Sequence, residues 1–521
     1  MDKAISYISP KRALKRVAAR KQMEILNQGY GNHGASRKKK SLLGWMVNSG
    51  SVIEDIEHNI PTLRERSRDL YMGAPLATGA LKTTRTNVIG AGLKLNSQID
   101  YEYLGMTLEE ADMWESQVER EFSLWADSIH CDAQRMNNFY ELQQLAFLSW
   151  LMSGDCFTLL PVIPRPNMPY DLRVQIIEAD RVCNPDNMIS QLDNKIVNGV
   201  EINFRGEVIA YHIAQHHPHS ISLKRKEWAR VSKFGPTTGR PNVIHLMESE
   251  RPEQRRGVPI LAPVIESLKQ LTRYSEAELM AAVVSGMYTV FIKSENPQNE
   301  VPGQFFGEED QLEDVDDINY ELGNGAIVAL GENESIDTAN PGRPNTAFDG
   351  FVTSICRQIG SALEVPYELL IKHFSASYSA SRASLLEAWK MFRMRRSWMA
   401  NDFCQPIYEE FLAEAVAKGR IHAPGFFSDP LVKKAYCTAE WNGPSQGQID
   451  PLKEVNAAAK RVEEGFSTRT RETVELGNGD FFRNNRLRVV EEKLRRDGGL
   501  IANAQSNEIP ASEEDDEEKE D

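Results

Sequence analysis

An α+β, multidomain architecture follows from three features of this 521-residue sequence. A helical pattern runs from Arg382 to Lys418 with Leu385, Leu386, Trp389, Phe392 and Met399 as its apolar stripe. As one helix it would be roughly 55 Å long at about 1.5 Å per residue. Short apolar runs such as VQII and VIAYHI, separated by Asn, Asp and Gly, fill Arg173 to Ile213 and read as strands. The length accommodates about three or four domain-sized units, and a 41% hydrophobic content supplies their cores.

Taken in order, Lys11 to Leu26 has a helical pattern with basic faces and is followed by Arg37-Lys38-Lys39-Lys40. Leu63 to Tyr71 reads as a helix, and Ala74-Pro75 opens another, with proline at its first turn. Asn87 to Gly92 is a turn into a strand. Its Gly90-Ala91-Gly92 lacks the further glycine or Lys-Ser/Thr of a phosphate-binding loop. Trp114, Phe122 and Trp125 mark an amphipathic helix, and Asn138-Phe139 starts the next, through Trp150. Ser153-Gly154-Asp155 turns into a strand from Cys156 to Val162, and Val243 to Leu246 is another. Together these segments predict helices packed on a mixed sheet.

A helix then carries Leu261, Val264, Ile265, Leu268, Leu271 and Leu279 on one side, with Pro259 and Pro263 in its first turns. Tyr288 to Ile292 and Ala326 to Leu330 are strand-like, with Gly323-Asn324-Gly325 as a turn. Phe348, Val352, Ile355, Ile359 and Leu363 fall at helical spacing, and Val365-Pro366 stops that helix. A Ser/Ala-rich loop from His373 leads into the long helix. Arg393, Arg395 and Arg396 make one of its flanks basic, and Pro406 should kink or break it. Asp450-Pro451 caps a later helix.

Charge and cysteine usage exclude several classes. A net charge of −15 argues against a protein that simply coats nucleic acid. Residues 1–40 nevertheless hold eleven Lys/Arg against two acids, whereas residues 308–321 hold eight acids and no base. The end from Glu513 to Asp521 holds eight acids and one Lys, the composition of a disordered, solvated tail. Six scattered cysteines without a C-x-x-C pair predict a reduced environment, with neither disulfide framework nor zinc site. No signal-peptide pattern opens the chain, and its most apolar run, Leu279 to Ile292, is too short to span a bilayer. We therefore expect a soluble, intracellular protein. His212, His216, His217 and His219 are the only metal-like grouping and are expected on a surface hairpin or loop, with no metal and no cofactor.

Three blocks carry a family resemblance. VPYELLIKHFSASYSASRASLLEAW (365–389), RSRDLYMGAPLATGA (66–80) with NVIGAGL (87–93) and RPEQRRGV (251–258), and WNGP followed by IDPLKE and Gly465-Phe466-Ser467 occur in this chain. The sequence in this way resembles the lambda-type portal proteins of tailed double-stranded-DNA phages over roughly residues 60 to 495. Residues 478–485 depart from the more regular acidic helix usual there. The resemblance implies a portal architecture assembled as a ring, usually dodecameric. Its parts would be a basic N-terminal arm (1–59), a mixed α/β wing (60–256), stem helix 1 (257–287) and a small β-containing clip (288–345). Stem helix 2 (346–366), a tunnel loop (367–382), the long wing helix and return (383–449), a helical crown (450–497) and a disordered acidic tail (498–521) would complete it. In that family the N-terminal segment lies at the ring periphery and is trimmed in some members.

The same resemblance places Lys372, His373, Ser375, Ser377, Tyr378, Ser379, Ser381 and Arg382 in a loop facing the DNA channel. The clip would carry Glu308, Glu309, Asp310, Glu313, Asp314, Asp316 and Asp317, facing either the channel or a docked partner. Implied partners are other copies of the chain, double-stranded DNA without sequence preference, the terminase large subunit, a head–tail adaptor, and major capsid or scaffold protein; no membrane is implied. The physics of a conduit agrees. Lys and Arg hold phosphates by releasing counterions, so a strongly basic wall would brake the duplex, whereas acids repel it and small Ser and Ala give weak, reforming contacts.

A catalytic reading finds no Walker loop, H-E-x-x-H, G-x-S-x-G or framed carboxylate pair. Two readings from other classes stand beside the conduit: a Ser-dependent head-maturation hydrolase using the Ser-rich loop, and a minor DNA-binding head-morphogenesis protein using the basic arm. The arm itself could contact DNA, scaffold or capsid protein, or be solvated. Arg255-Arg256 could equally be a DNA or subunit contact or an internal ion pair.

Overall fold

Side-chain caps fix where several helices begin. The computed structural model describes residues 9–26, 39–42, 44–45, 47, 49–187, 190–191, 194–220, 226–286, 290–294, 334–338, 347–374, 377–447, 450–477 and 479–500. They fall in two units, Met1–His58 and Asn59–Asp521. The first contains helix α1 (Pro10–Leu26), a 3-10 turn at Lys40–Leu42 and a π-turn at Ile53–Glu57.

The second unit opens with α2 (Ile60–Gly73) and α3 (Pro75–Val88), both with proline in the first turn, where the missing N–H has no intrahelical acceptor anyway. Strand β1 (Lys94–Ser97) and the short α4 (Tyr101–Leu104) lead to α5 (Leu108–Ala126) and α6 (Phe139–Ser153). Both longer helices begin with a capping box. The Thr107 hydroxyl accepts from Glu110 N–H while Glu110 accepts from Thr107 N–H, and Asn138 and Glu141 do the same.

Strands β2 (Asp155–Leu159), β3 (Gln175–Ile177) and β9 (Val243–Met247) form a sheet in the order β3-β2-β9. Between β3 and β9, a five-stranded meander runs through β4 (Ser190–Gln191), β5 (Asn194–Val197), β6 (Val200–Ile202), β7 (Val208–Ala214) and β8 (Trp228–Ser232). The expected mixed sheet is corrected: each described ladder is antiparallel, and among the described residues parallel pairing is confined to the bridge Asp132–Val174. Tight connections such as Asn198-Gly199 allow hairpins, whereas parallel neighbours need a long crossover.

A 3-10 turn (Ala262–Val264) starts α7 (Ile265–Gly286). Strand β10 (Val290–Ser294) pairs antiparallel with β11 (Glu334–Thr338), while the expected strand Ala326–Leu330 lies outside the described residues. Helix α8 (Phe348–Ala362) packs on α7, with Tyr274 against Phe348 and Phe351 at ring distances of 5.5 and 5.1 Å. The apolar side expected through Leu279 reaches the core only as far as Leu271. Leu279 is 67% exposed and Met280 61%, because the outer half of α7 runs beyond the packed core.

Helix α9 (Tyr367–Ile371) precedes the long element. That element is α10 (Tyr378–Met399), a π-turn (Ala400–Cys404) and α11 (Gln405–Ala417) in direct succession. Of the kink or break expected at Pro406, the break does not occur. Proline cannot donate to the carbonyl four residues back and its ring crowds it, and the wider π-turn just before it absorbs that misfit without interrupting the helix. The chain closes with α12 (Pro430–Tyr436), β12 (Ala439–Asn442) paired with β1, and α13 (Pro451–Glu463), α14 (Arg469–Gly477) and α15 (Phe481–Asp497).

The main core is aromatic. The Phe122 ring lies 5.2–5.9 Å from those of Trp125, Phe139, Tyr408, Phe411 and Trp441, so α5, α6, α11 and β12 share one centre. Trp114 and Trp125 donate their indole N–H groups to the carbonyls of His422 and Leu172, satisfying their one polar atom. A smaller core of Phe157, Ile177, Val182, Val200, Tyr211, Ile213 and Val243 joins the two larger sheets.

Candidate functional site

The candidate loop is built by the way α8 stops. Gly360 lets the chain fold back: an added Cβ would stand 2.6 Å from the Val365 carbonyl, which the Pro366 turn brings over it. Val365 N–H closes that turn on the Gly360 carbonyl at 2.9 Å, and Val365 is buried. Helix α9 then runs for a single turn and ends at Lys372, whose left-handed φ of +56° turns the chain outward. Lys372, His373, Phe374 and Ser377 are all exposed.

The loop is shorter than expected, because helix begins at Tyr378 and not at Arg382. Ser377 is the reason. Its hydroxyl accepts from Ala380 N–H at 3.4 Å and its carbonyl accepts from Ser381 N–H at 2.9 Å, so the Ser-rich stretch caps and starts the helix. Ser381 and Arg382 are therefore helical, and Arg382 lies 3.8 Å from Glu454 of α13. Ser375 and the side chains of Tyr378 and Ser379 lie outside the described residues. So do Glu308, Glu309, Asp310, Glu313, Asp314, Asp316 and Asp317.

Arg382 also lines a groove of about 450 Å³ between α10, α13 and α14, with Leu386, Arg393, Lys453, Arg461 and Glu475. Its cations are largely matched. Arg461 grips Glu472 with two hydrogen bonds of 2.9 and 2.5 Å, and Lys453 stands 3.2 Å from Asp450.

The basic flank expected on the long helix is divided by the packing. Arg393 is exposed. Arg395 is buried beside Glu364 at 3.2 Å and Met391 Sδ at 3.0 Å. Arg396 donates to the carbonyls of Asn87 and Val88 at 2.8 and 3.0 Å, closing the C-terminus of α3, and lies over the Trp389 ring. Burial, then the nearby Arg393 charge, lowers the Arg396 guanidinium to about 10.

The residues that sequence reasoning missed form a buried charge cluster. Asp155, the first residue of β2, accepts from Arg64 Nη2 at 2.9 Å, Arg256 Nε at 2.6 Å and Gly257 N–H at 3.2 Å. Arg256 spends its remaining N–H groups on the carbonyls of Ala179, Val182 and Asn198, and stacks over Phe157. Burial alone would raise the Asp155 carboxyl, but Arg256 and then Arg64 hold it well below the usual carboxylate range. Burial, reinforced by Arg256, lowers the Arg64 guanidinium to about 10.

Three sequence blocks thus converge: Arg64 of α2, the turn Ser153-Gly154-Asp155, and Arg256-Gly257 ahead of α7. Of the readings open for Arg255-Arg256, the internal ion pair holds for Arg256, which is 1% exposed. Gly154 and Gly257 face each other so closely that a Cβ on either would collide with the other's backbone. Two glycines next to one acid and one arginine were the available signal.

The histidine grouping is split as well. His212 is an interior strand residue, correcting the expected surface position: its Nε2 lies 3.0 Å from buried Glu201, which Arg230 also grips. His217 approaches Asp180 at 3.5 Å, and Glu178, Asp180 and His217 stand close enough together to hold a cation. Arg68 already pairs with both of those carboxylates and Arg64 lies 3.7 Å from Asp180, so arginines compete with any cation there. Among the described residues no helix is long and apolar enough to cross a membrane.

With this geometry in view, comparison with known proteins is informative. The profile described as phage portal protein, lambda family, matches residues 38–396. Portal protein B of Escherichia phage lambda is 25% identical over 498 residues, covering 92% of each chain. The portal protein of Escherichia phage N15 is 25% identical over 478 residues, covering 88% of this chain and 89% of its own. Among solved structures, the neck of an empty GTA particle computed with C6 symmetry aligns with a TM-score of 0.44 and 13% identity, over 80% of this chain and 92% of that one.

Proposed function

Because the chain belongs to the lambda family of phage portal proteins, we propose that it assembles into a ring at one capsid vertex and serves as the channel for genome packaging and ejection. The observation that carries this reading is the near end-to-end alignment with portal proteins of two phages. In this reading α7 and α8 are the stem helices, the segment between them is the clip, and the loop that carries the exposed residues Lys372, His373, Phe374 and Ser377 faces passing DNA. The Ser/Ala composition offers that DNA no strong directional grip, and Lys372 and His373 add limited phosphate attraction. The acids from Glu308 to Asp317 face the channel or receive a basic surface of a docked protein.

The ring would seat the terminase large subunit during filling and then a head–tail adaptor, with capsid or scaffold protein around it. The family is structural, and in this reading the ring does no chemistry, so ATP is hydrolysed by a partner. Two findings support this over a Ser-dependent hydrolase: the Ser377 hydroxyl is committed to a helix cap, and Ser381 is part of the helix.

Negative-stain microscopy with light scattering tests the proposal. Rings with a central hole, at about twelve times the 58.8 kDa subunit mass, are the expected result. A monodisperse monomer or compact dimer across salt conditions overturns it.

A further inference from the structure

Strand β1 has β12 on one edge, and side chains of α5 stand in for a strand on the other. Glu119 accepts from Ser97 N–H at 2.9 Å and, one turn earlier on α5, Glu115 accepts from Ile99 N–H at 2.8 Å. Gln98 N–H, between them, points the opposite way, to the Thr438 carbonyl at 3.0 Å. A cavity of about 80 Å³ lies between these two glutamates and the pair α14–α15, which brings Thr470, Val474, Asp480 and Phe482 to it. The seat of that pair on α5 is thin. Arg486 reaches Ser116 Oγ at 3.4 Å and Asp112 at 3.8 Å, and from Phe482 to Asp497 every residue except Glu492 is exposed. An element held by so few buried contacts opens at low cost.

The charge around this seat is unbalanced. Helix α5 supplies Asp112, Glu115 and Glu119, and α15 supplies Asp480, whose side chain caps its own helix by accepting from Arg483 N–H at 3.0 Å. Among the described residues lining the cavity, Arg486 is the one cation, and β12 contributes the neutral Asn442. Lys94, Asp127, Tyr140 and Arg483 line a second groove that Glu119 shares, and the buried Tyr408 of α11 feels both glutamates. Among the described residues no three of these carboxylates gather closely enough to share a metal ion, which leaves protons to balance them. Burial raises both glutamates to about 7 against the pull of the strand N–H groups. The Asp480 and Glu115 charges push Glu119 up further, with Arg486 opposing, and Asp112 does the same to Glu115.

We infer that Glu115 and Glu119 form a proton-operated latch for the α14–α15 pair: uncharged, they let Asp480 and Phe482 seat against α5, and charged, they repel Asp480, draw water into the cavity and let the pair lift. The sign follows from linkage. The seated form holds the protons, and the lifted form returns the carboxylates toward water and gives them up. Lifting therefore becomes easier as pH rises from the ordinary carboxylate range to about 7, and levels off above it. The latch lies within one chain and stands apart from the conduit reading.

The test is amide hydrogen exchange of the full chain at pH 6 and pH 8, with each amide corrected for its intrinsic rate. Protection of α15 should fall several-fold from pH 6 to pH 8, with a ceiling of about tenfold for each carboxylate that returns fully to its ordinary value. Helix α3, remote from the latch in sequence, should keep its protection. E115Q/E119Q retains an acceptor for the strand N–H groups but cannot ionise, and its α15 should respond equally little at both pH values. D480N keeps the helix cap, since Asn serves there as well as Asp, and should shrink the response by removing the like charge. A change in α15 below about twofold, an equal change in α3, or a wild-type response in both variants would each overturn the inference. Ring formation, read by light scattering on the same samples, reports on the portal reading independently.

Discussion

Replacing Asp155 by Asn removes one negative charge and almost no volume from the centre of a fully buried cluster. Arg256 is then left in the interior without a counter-charge and Arg64 keeps only its longer, 3.7 Å contact with Asp180, while both guanidinium groups stand within 2.9 Å of the altered side chain. The Asn amide presents its own N–H donors where at least one arginine donor now points. Removing one partner of a buried ion pair costs about 3–5 kcal/mol, most of it the penalty of the stranded charge. D155N should therefore lower stability by that amount, and R64M in the same background should restore part of it by removing one of two crowded, under-compensated cations. Calorimetry gives the loss of unfolding temperature, and amide exchange locates it: β2 and the Arg256–Gly257 entry to α7 should lose protection, and α14 should not. The pH dependence follows from the direction of the shift. A depressed folded-state value means the stabilisation is complete above the ordinary carboxylate range and is lost only as pH falls through the depressed value. The D155N effect should thus be the same at pH 8 and pH 5. A loss below about 1 kcal/mol, or one that changes over that range, would refute the reasoning.

Other consequences can be measured with the same tools. G257A should cost about 3 kcal/mol through collision with the Gly154 carbonyl, whereas G350A, with open space around it, should be neutral or slightly stabilising in differential scanning fluorimetry. Glu119 and Glu115, which accept from Ser97 and Ile99 N–H, are each raised by burial to about 7. Their raised values mean a contribution present below the ordinary carboxylate range and lost as pH rises through about 7, so E115Q/E119Q should lose less melting temperature than wild type between pH 5 and 8; parallel pH profiles would contradict this. R396A leaves the Asn87 and Val88 carbonyls without their donor and should cost about 2–3 kcal/mol, while R393A on the exposed side should stay within about 0.5 kcal/mol in urea unfolding.

Local signals in the sequence were readable where a single turn of chain decides the outcome. Asn138 before Phe139 and Asp450 before Pro451 mark helix starts because the cap and the backbone N–H that donates to it lie within three residues of each other. The strand at Val243 and the stop at Val365-Pro366 follow in the same way. The partners of Asp155 did not, since Arg64 and Arg256 approach it from 91 and 101 residues away and nothing local records the meeting. The same holds for Arg396, read as part of a basic flank although it closes a helix more than three hundred residues earlier. Leu279 shows the opposite error: its spacing fits the apolar side of α7, but periodicity does not say where a helix leaves the core. In the candidate loop, serine composition suggested flexible chain, whereas Ser377 turns it into a helix start.

The π-turn between α10 and α11 gives the long element a mechanical character. Because the helix passes Pro406 without a break, Tyr378 to Ala417 forms one continuous helical element with a contour of about 60 Å, at about 1.5 Å per residue. Its far half is clamped: Phe403, Ile407, Tyr408, Phe411, Leu412 and Ala415 are all inaccessible. Toward its near end Ser377, Ala380, Ala383, Leu386 and Glu387 are exposed. Ala388, Trp389, Met391, Phe392 and Met399 are buried as well, so only about the first ten residues, roughly 15 Å, overhang the packed core, and a tilt of about 5° at Ala388 swings the tip by only about 1 Å. A push on the loop is thereby taken up within a short span by the packed residues around Ala388 and Trp389, and the continuous helix carries it on toward the aromatic centre around Phe122.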